Sequence, residues 1–298
     1  MEELKLQTPV QIGRSRVVIS LKDKIVALGS CFADEIGSRM SQLGFDITVN
    51  PFGALYNPVS VHNSAARLAS AIPFSEKECV KMGAGSSLVC SFSHNTTFAR
   101  QTPEEFLLNA NEALASAAKS WKAAGKVIVT LGTAWCFEYI ETGEIVSNCL
   151  KIDGKLFRRR RLTVRETESI LKNMVARFPE KSFIFTVSPI RHLKDGAHGN
   201  QLSKSTLLLA IESVIESFPD RTDYFPAYEI FMDELRDYRF YAPDMTHPTS
   251  QAADYIWSRF VDWALPGEEI PELAERKKAL AASLHRPLTG GSGHVADI

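Results

Sequence analysis

Residues 24–33, KIVALGSCFA, decide the fold of this chain. The apolar run at the start of this stretch is typical of a short strand buried on both faces. After it, Ala33, Ile36, Met40 and Leu43 recur at the spacing of one helix face. A buried strand followed at once by a helix predicts the first unit of a parallel sheet that helices cover on both sides.

The same alternation of strand and helix continues along the chain. Right-handed crossovers between its strands predict a doubly wound α/β sandwich. Further strands are predicted at residues 45–49, 127–131 and 183–187, with a weaker candidate at 224–232 that contains Pro226. Helices are predicted at residues 106–121, 163–178, 207–215 and 253–260, the second of them opened by a capping box of Thr163 and Glu166.

Two segments do not follow this alternation. Residues 73–100 and 137–161 are predicted to be insertions. Turn signals at residues 142–143 (Thr-Gly) and 153–154 (Asp-Gly) indicate short antiparallel hairpins in the second one. We expect residues 1–285 to form one domain and the glycine-rich residues 286–298 to be a flexible tail.

The composition is that of a globular protein. Of the 298 residues, 45% are hydrophobic and 23% are charged, which excludes a disordered or collagen-like chain. The formal net charge of -1 gives no electrostatic preference for nucleic acid or for an anionic membrane. The chain has no apolar run of about 18 residues, the minimum for a transmembrane helix.

Residues 1–15 lack the basic and apolar regions of a signal peptide, so we expect a cytoplasmic protein. The five cysteines are scattered and include no CxxC pair. The sequence therefore predicts neither a disulfide framework nor a metal site, and we expect no cofactor. Neither nucleic acid nor a membrane is an expected partner, and the sequence does not indicate an oligomeric state.

Ser30 is a candidate nucleophile because of its position. Ligands of an open parallel sheet bind beyond the carboxyl ends of its strands, and Ser30 follows the first of these ends. The residue also opens a helix, where outward-pointing backbone N–H groups would meet an oxyanion. Two alternatives stay open on position alone: an N-cap serine, the commonest use at such a junction, and an anion site.

A base for such a nucleophile is found near the other end of the chain. Asp244 lies three residues before His247, in a loop that follows the fifth predicted strand. This spacing can place the carboxylate on Nδ1 of the imidazole and leave Nε2 free for the serine. The order Ser, Asp, His is one of several in which catalytic triads occur. A D-x-x-H pair alone would more often be a solvated loop.

The rival nucleophile is Cys31. Neighbouring residues at a helix start point about 100° apart, so only one of the two can face the site. We expect Ser30 to face it and Cys31 to turn towards neighbouring backbone. His94, Arg191 and His192 are candidates for substrate binding, although histidines in such positions are more often structural or at the surface.

The string GSCFA at residues 29–33 resembles the motif of the GSCFA family, a branch of the SGNH (GDSL-like) hydrolases. Other segments are also similar to that family, and together they span about residues 20–262. They are NPFGALYN at 50–57, LGTAW at 131–135, TVSPIRH at 186–192 and DYRFYAPDMTH at 237–247.

The resemblance implies a three-layer α/β/α fold around a five-stranded parallel sheet in the order 2-1-3-4-5, of the flavodoxin-like type. It implies Ser30 as the nucleophile, His247 as the base and Asp244 as the residue that orients it. The oxyanion hole would use the amides of Ser30 and Gly53. The usual third donor is an asparagine in a G-x-N-D string, which residues 132–134 (Gly-Thr-Ala) lack, so Thr133 or Asn57 would replace it.

Three functions follow from this resemblance. The leading one is hydrolysis of an ester or O-acetyl group through an acyl-serine intermediate. The same intermediate would allow transfer of the acyl group to a sugar or another alcohol. The third is a module that binds carbohydrate or acyl groups without turnover. The expected partner is a small-molecule or carbohydrate-linked acyl ester.

Overall fold

The computed structural model describes residues 8–284. The predicted tail at residues 286–298 lies outside this range. Between residues 8 and 284, no helix is both long enough and apolar enough to cross a membrane.

The strands are β1 Lys24–Gly29, β2 Asp46–Val49, β3 Val80–Lys81, β4 Val89–Cys90, β5 Lys126–Leu131, β6 Trp135–Tyr139, β7 Ile145–Val146, β8 Phe157–Arg161, β9 Ser182–Val187 and β10 Thr222–Phe225. The helices are α1 Cys31–Gln42, α2 Pro58–Ser70, α3 Pro103–Ala123, α4 Val164–Arg177, α5 Gly196–Ser217, α6 Ala227–Glu229, α7 Ser250–Ala264 and α8 Ile270–Leu284.

A five-stranded parallel sheet forms the centre, in the order β10-β9-β5-β1-β2. Counted along these five strands alone, the order is 2-1-3-4-5, which confirms the expected topology. Alternate side chains of each strand enter different cores. Val26 and Val127 pack with α2, α3, α4 and α5, whereas Ile25 and Ile128 pack with α1, α7 and α8. The fold is therefore a three-layer α/β/α sandwich.

The insertions form separate small sheets. β3 and β4 pair antiparallel within residues 73–100, and β6 pairs antiparallel with both β7 and β8 around residues 137–161. Gly143 lies in the turn between β6 and β7, with a positive φ of 72°.

The fifth core strand is shorter than predicted, because β10 ends at Phe225. Pro226 follows it and precedes α6, and the chain then continues through a π-helical turn at Ile230–Glu234. Proline has no N–H for a sheet ladder but fits the start of a helix, which accounts for the early end of the strand. The predictions also missed α2, which Asn57 caps, and α8.

The end of β1 allows no side chain. Gly29 has φ +136°, and a Cβ at this position would lie 2.0 Å from the carbonyl oxygen of Thr130. The next amide, that of Ser30, donates to the same oxygen at 2.9 Å. This close approach between β1 and β5 turns the chain away from the sheet, and α1 begins one residue later.

His94 is buried in a core of aromatic rings. Its side chain is fully buried and packs against the rings of Phe52, Phe74, Phe98 and Phe106 at centroid distances of 4.5–5.3 Å. The prediction that His94 binds substrate therefore does not fit its position. Burial lowers the pKa of its imidazole to about 3, with a smaller contribution from the charge of Arg67.

We predict that His94 makes the fold sensitive to acid. Its imidazole stays neutral in the folded state but takes up a proton near pH 6.5 when unfolded, so stability falls as the pH drops below 6.5. Between pH 7 and pH 5 this group should cost about 2 kcal/mol of unfolding free energy, measured by urea titration. The variant His94→Phe should lose that part of the pH dependence. The matched control is His198→Phe at an exposed histidine, and equal pH dependence in all three proteins would contradict the prediction.

Candidate active site

Asp244 and His247 form a hydrogen-bonded pair in the loop before α7. Oδ2 of Asp244 lies 2.5 Å from Nδ1 of His247. Oδ1 of the same carboxylate accepts hydrogen bonds from the backbone N–H groups of His247 and Thr246, at 3.0 and 2.9 Å. These N–H groups, together with the imidazole, hold the pKa of Asp244 well below its usual range. The carboxylate is therefore ionised and fixes the orientation of the ring, as the D-x-x-H spacing suggested.

The free nitrogen of this imidazole faces Cys31. Nε2 of His247 lies 4.0 Å from Cys31 Sγ. The expectation that Cys31 turns towards neighbouring backbone is not met, because its sulfur lies against this imidazole and its side chain is only partly buried. A contact of this length between a nucleophile and its base is usual without substrate and shortens when a substrate binds.

Ser30 is the N-cap residue of α1. Its side chain is 1% exposed, and its hydroxyl accepts a hydrogen bond from the Phe32 N–H at 3.3 Å, as an N-cap does. No hydrogen bond joins Ser30 to His247 within residues 8–284. The local geometry therefore fits the alternative in which Ser30 caps the helix. The thiol at the His247 imidazole is that of Cys31.

The thiol of Cys31 is protonated at neutral pH. Burial raises its pKa above the ordinary value, and the carboxylate of Asp34 raises it further. The backbone N–H groups of Cys31 and Phe32 act in the opposite direction, because they stabilise a thiolate at the start of α1. A nucleophile in this state needs a base to remove its proton, and His247 is in position to do so.

Two of the expected oxyanion donors are already occupied. The Ser30 N–H donates to the Thr130 carbonyl, and the Gly53 N–H donates to the Asn50 carbonyl at 2.7 Å. Gly53 lies in the turn after β2, with a positive φ of 79° that this hydrogen bond accompanies. An oxyanion hole at this site must therefore use other donors.

Of the two candidates for the third donor, only Thr133 has its donor group engaged, whereas the side-chain nitrogen of Asn57 makes no hydrogen bond within residues 8–284. The hydroxyl of Thr133 pairs with the Ser203 hydroxyl at 3.0 Å and accepts from the Trp135 N–H at 3.0 Å. The side-chain oxygen of Asn57 accepts from the Ser60 N–H at 2.9 Å and so caps α2. Thr133 and Asn57 both have structural roles in this arrangement.

Arg191 and His192 follow β9 at the carboxyl edge of the sheet. The guanidinium of Arg191 lies 4.8 Å from the ring centroid of Tyr241, in the segment that leads to Asp244. Nε2 of His192 lies over Gly132, where an added Cβ would be 3.4 Å from it. Arg191 and His192 are thus at the carboxyl edge of the sheet, as the sequence predicted. His94, in contrast, is buried in an aromatic core.

The sequence analysis did not predict a role for Lys204 at this edge of the sheet. Its side chain is fully buried, and Nζ donates to the carbonyl oxygens of Gly132 and Ser188, both at 2.7 Å. These carbonyls follow β5 and β9, so the lysine ties two strand ends together. Burial lowers its pKa to about 7. The available signal was a charge on an apolar helix face, since Lys204 lies on the same stripe as Leu207 and Ile211.

A large cavity lies apart from this chemistry. It measures about 1000 Å³ and is bounded by α2, β7 and the segment before β3. Neither Cys31 nor His247 lines it. Within residues 8–284, no group of three or more histidine, cysteine or acidic side chains is arranged to hold a metal ion.

The fold and this site define an α/β/α protein with a carboxylate–imidazole pair directed at the first strand-to-helix turn of its sheet. The chain belongs to the GSCFA family, whose model matches residues 24–260. The comparison with curated proteins gave no match.

The solved structures similar to this chain include "The structure of a putative platelet activating factor from Streptococcus pneumonia". The two chains are 12% identical, and the similarity covers 80% of this chain and 84% of that one, with a TM-score of 0.37. At this identity and TM-score, the similarity assigns no activity to the present chain.

We predict that Asp34→Asn makes Cys31 more reactive. The change removes a negative charge that raises the thiol pKa, while the amide oxygen can still accept the 2.7 Å hydrogen bond from Asn50. Loss of this charge lowers the thiol pKa and raises the thiolate fraction, so the rate of alkylation by iodoacetamide at pH 8 should increase. Alkylation of Cys79, followed by mass spectrometry in the same sample, is the internal control. An unchanged or slower rate at Cys31 would contradict this role of Asp34.

Proposed function

We propose that this protein hydrolyses acyl esters through a thiol nucleophile, with Cys31 as nucleophile, His247 as general base and Asp244 as the residue that orients the base. The observation that carries the proposal is the contact of Nε2 of His247 with Cys31 Sγ, while Nδ1 of the same ring binds the carboxylate. A nucleophile, a base and an orienting acid in this order are the arrangement that acyl transfer requires.

The reaction begins with the protonated thiol. As Sγ of Cys31 bonds to the carbonyl carbon of the ester, its proton moves to Nε2 of His247. The ionised Asp244 stabilises the imidazolium that forms. The carbon–oxygen bond of the ester then breaks, and the imidazolium returns the proton to the departing alcohol. A thioester on Cys31 remains.

Water completes the cycle through the same base. His247 takes a proton from a water molecule as its oxygen attacks the thioester, and the thiol leaves with that proton. The side chains of His247 and Asp244 are about half exposed, at 48% and 51%, so water reaches the base. An alcohol could take the place of water, which would make the reaction a transfer. The open position suits a small-molecule or carbohydrate-linked acyl ester.

We predict that Cys31→Ala abolishes turnover of 4-nitrophenyl acetate, whereas Ser30→Ala keeps most of it. The serine variant loses only the helix cap, which should cost about 1 kcal/mol of stability. Turnover is followed by release of nitrophenolate, and the fold of each variant is checked by circular dichroism. Cys136→Ala, at a buried cysteine in β6, is the matched control for loss of a thiol. An active Cys31→Ala together with an inactive Ser30→Ala would restore the serine as nucleophile.

We predict that Asp244→Asn keeps the conformation of the loop but lowers turnover. The asparagine oxygen can still accept the two backbone hydrogen bonds at Oδ1, so the loop should keep its conformation. Its amide nitrogen would face Nδ1 and favour the wrong tautomer, which in triads lowers turnover by a factor on the order of 10⁴. Asp244→Ala, which loses both functions, is the comparison. Full activity in Asp244→Asn would exclude an orienting role for the carboxylate.

A further inference from the structure

The proposed site contains a nucleophile and a base, but three of its four expected oxyanion donors are not available. The amides of Ser30 and Gly53 and the hydroxyl of Thr133 are all engaged in other hydrogen bonds. The N–H of Cys31 itself is at the first position of α1, where it has no acceptor within the helix, and it is a candidate for the first donor. A tetrahedral oxyanion is normally met by two converging donors.

His192 lies where a second donor is needed. Gly29 pairs with Thr130, so Cys31 and Gly132 leave the neighbouring strands β1 and β5 at the same edge. Gly132 has no side chain, and a Cβ there would lie 3.2 Å from Cδ1 of Tyr56 and 3.4 Å from Nε2 in the ring of His192. A larger residue at position 132 would displace this ring.

Nε2 of His192 is a polar atom without a protein partner. It is buried and makes no hydrogen bond within the described part of the chain. A buried nitrogen that lacks a partner destabilises a fold, so its presence at the edge of a candidate site indicates that a ligand supplies the partner. The ring is held in place from two sides. Its backbone N–H donates to Asn200 Oδ1 at 2.9 Å, and Tyr56 packs edge-on at a centroid distance of 6.0 Å.

The surroundings of His192 keep its imidazole neutral. Burial lowers the pKa of the ring to about 4, and the positive charges of Lys204, His247 and Arg159 contribute in the same direction. A neutral imidazole can donate a hydrogen bond to a carbonyl without adding a positive charge that would oppose the His247 imidazolium.

We propose that Nε2–H of His192 donates a hydrogen bond to the carbonyl oxygen of the acyl group and stabilises the oxyanion that forms when Cys31 attacks. This role rests on the proposed thiol chemistry and adds to Cys31 and His247 a third catalytic residue, from the opposite side of β5. Lys204 acts as a positioning residue, because it ties Gly132 to Ser188 beneath the ring.

The test compares acylation of Cys31 with its alkylation. Acylation by 4-nitrophenyl acetate passes through an oxyanion, whereas alkylation by iodoacetamide does not, and both need the same thiol. His192→Phe keeps an aromatic ring but has no donor, and we expect its acylation rate to fall by about 100- to 1000-fold with the alkylation rate unchanged. His192→Gln keeps an N–H donor and should recover part of the acylation rate.

The other outcomes of this experiment contradict either the role of His192 or the proposed function. If His192→Phe is acylated at the wild-type rate, His192 donates nothing to the oxyanion. If acylation and alkylation fall together, the residue acts on the thiol or on the fold, and the proposed role is wrong. A wild-type protein whose Cys31 is alkylated but never acylated would overturn the proposed function itself, and that result is read from the wild type alone.

Discussion

The contact between Gly29 and the Thr130 carbonyl is the constraint on which the site depends. Because a Cβ at Gly29 would lie 2.0 Å from that oxygen, only glycine allows β1 and β5 to approach so closely at their ends. The Ser30 N–H then donates a hydrogen bond to the same carbonyl, and the Ser30 hydroxyl caps α1. The next residue, Cys31, is left at the ligand-binding edge of the sheet, in contact with His247.

The electrostatics of the site suit a base-assisted reaction. Burial and acidic neighbours keep Cys31 protonated, so the thiol differs from the preformed thiolates of strongly activated cysteines. The ionised Asp244 fixes the tautomer of His247 and prepares it to take the proton. His192 remains neutral across the site because burial and neighbouring cations oppose its protonation. In the proposed reaction, positive charge on an imidazole would therefore develop at His247, which takes the proton from the thiol.

Much of the fold could be predicted from the sequence, because its signals are local and repeated. Five short apolar runs alternating with helical stripes gave a parallel sheet, and the resemblance to a family gave its order. The end of β10 was missed because Pro226 acts against the apolar pattern around it. The D-x-x-H loop was correctly read as an Asp244–His247 pair, since its geometry is set within four residues.

The rest of the site depends on contacts that no local pattern contains. Whether Ser30 or Cys31 faces the base is decided by the Thr130 carbonyl, 100 residues away along the chain. The burial of His94 among phenylalanine rings is equally non-local, because those rings come from segments on both sides of it. Lys204 is visible as a charge on an apolar stripe, but the two carbonyls that it joins are not.

The most direct test of this account is to locate the acyl group during turnover. The protein is mixed with 4-nitrophenyl acetate and quenched in acid, and the peptide that contains Ser30 and Cys31 is fragmented in a mass spectrometer. The account predicts an acetyl group on the sulfur of Cys31, which neutral hydroxylamine removes as it does from a thioester. An acetyl group on the oxygen of Ser30, stable to the same treatment, would contradict it.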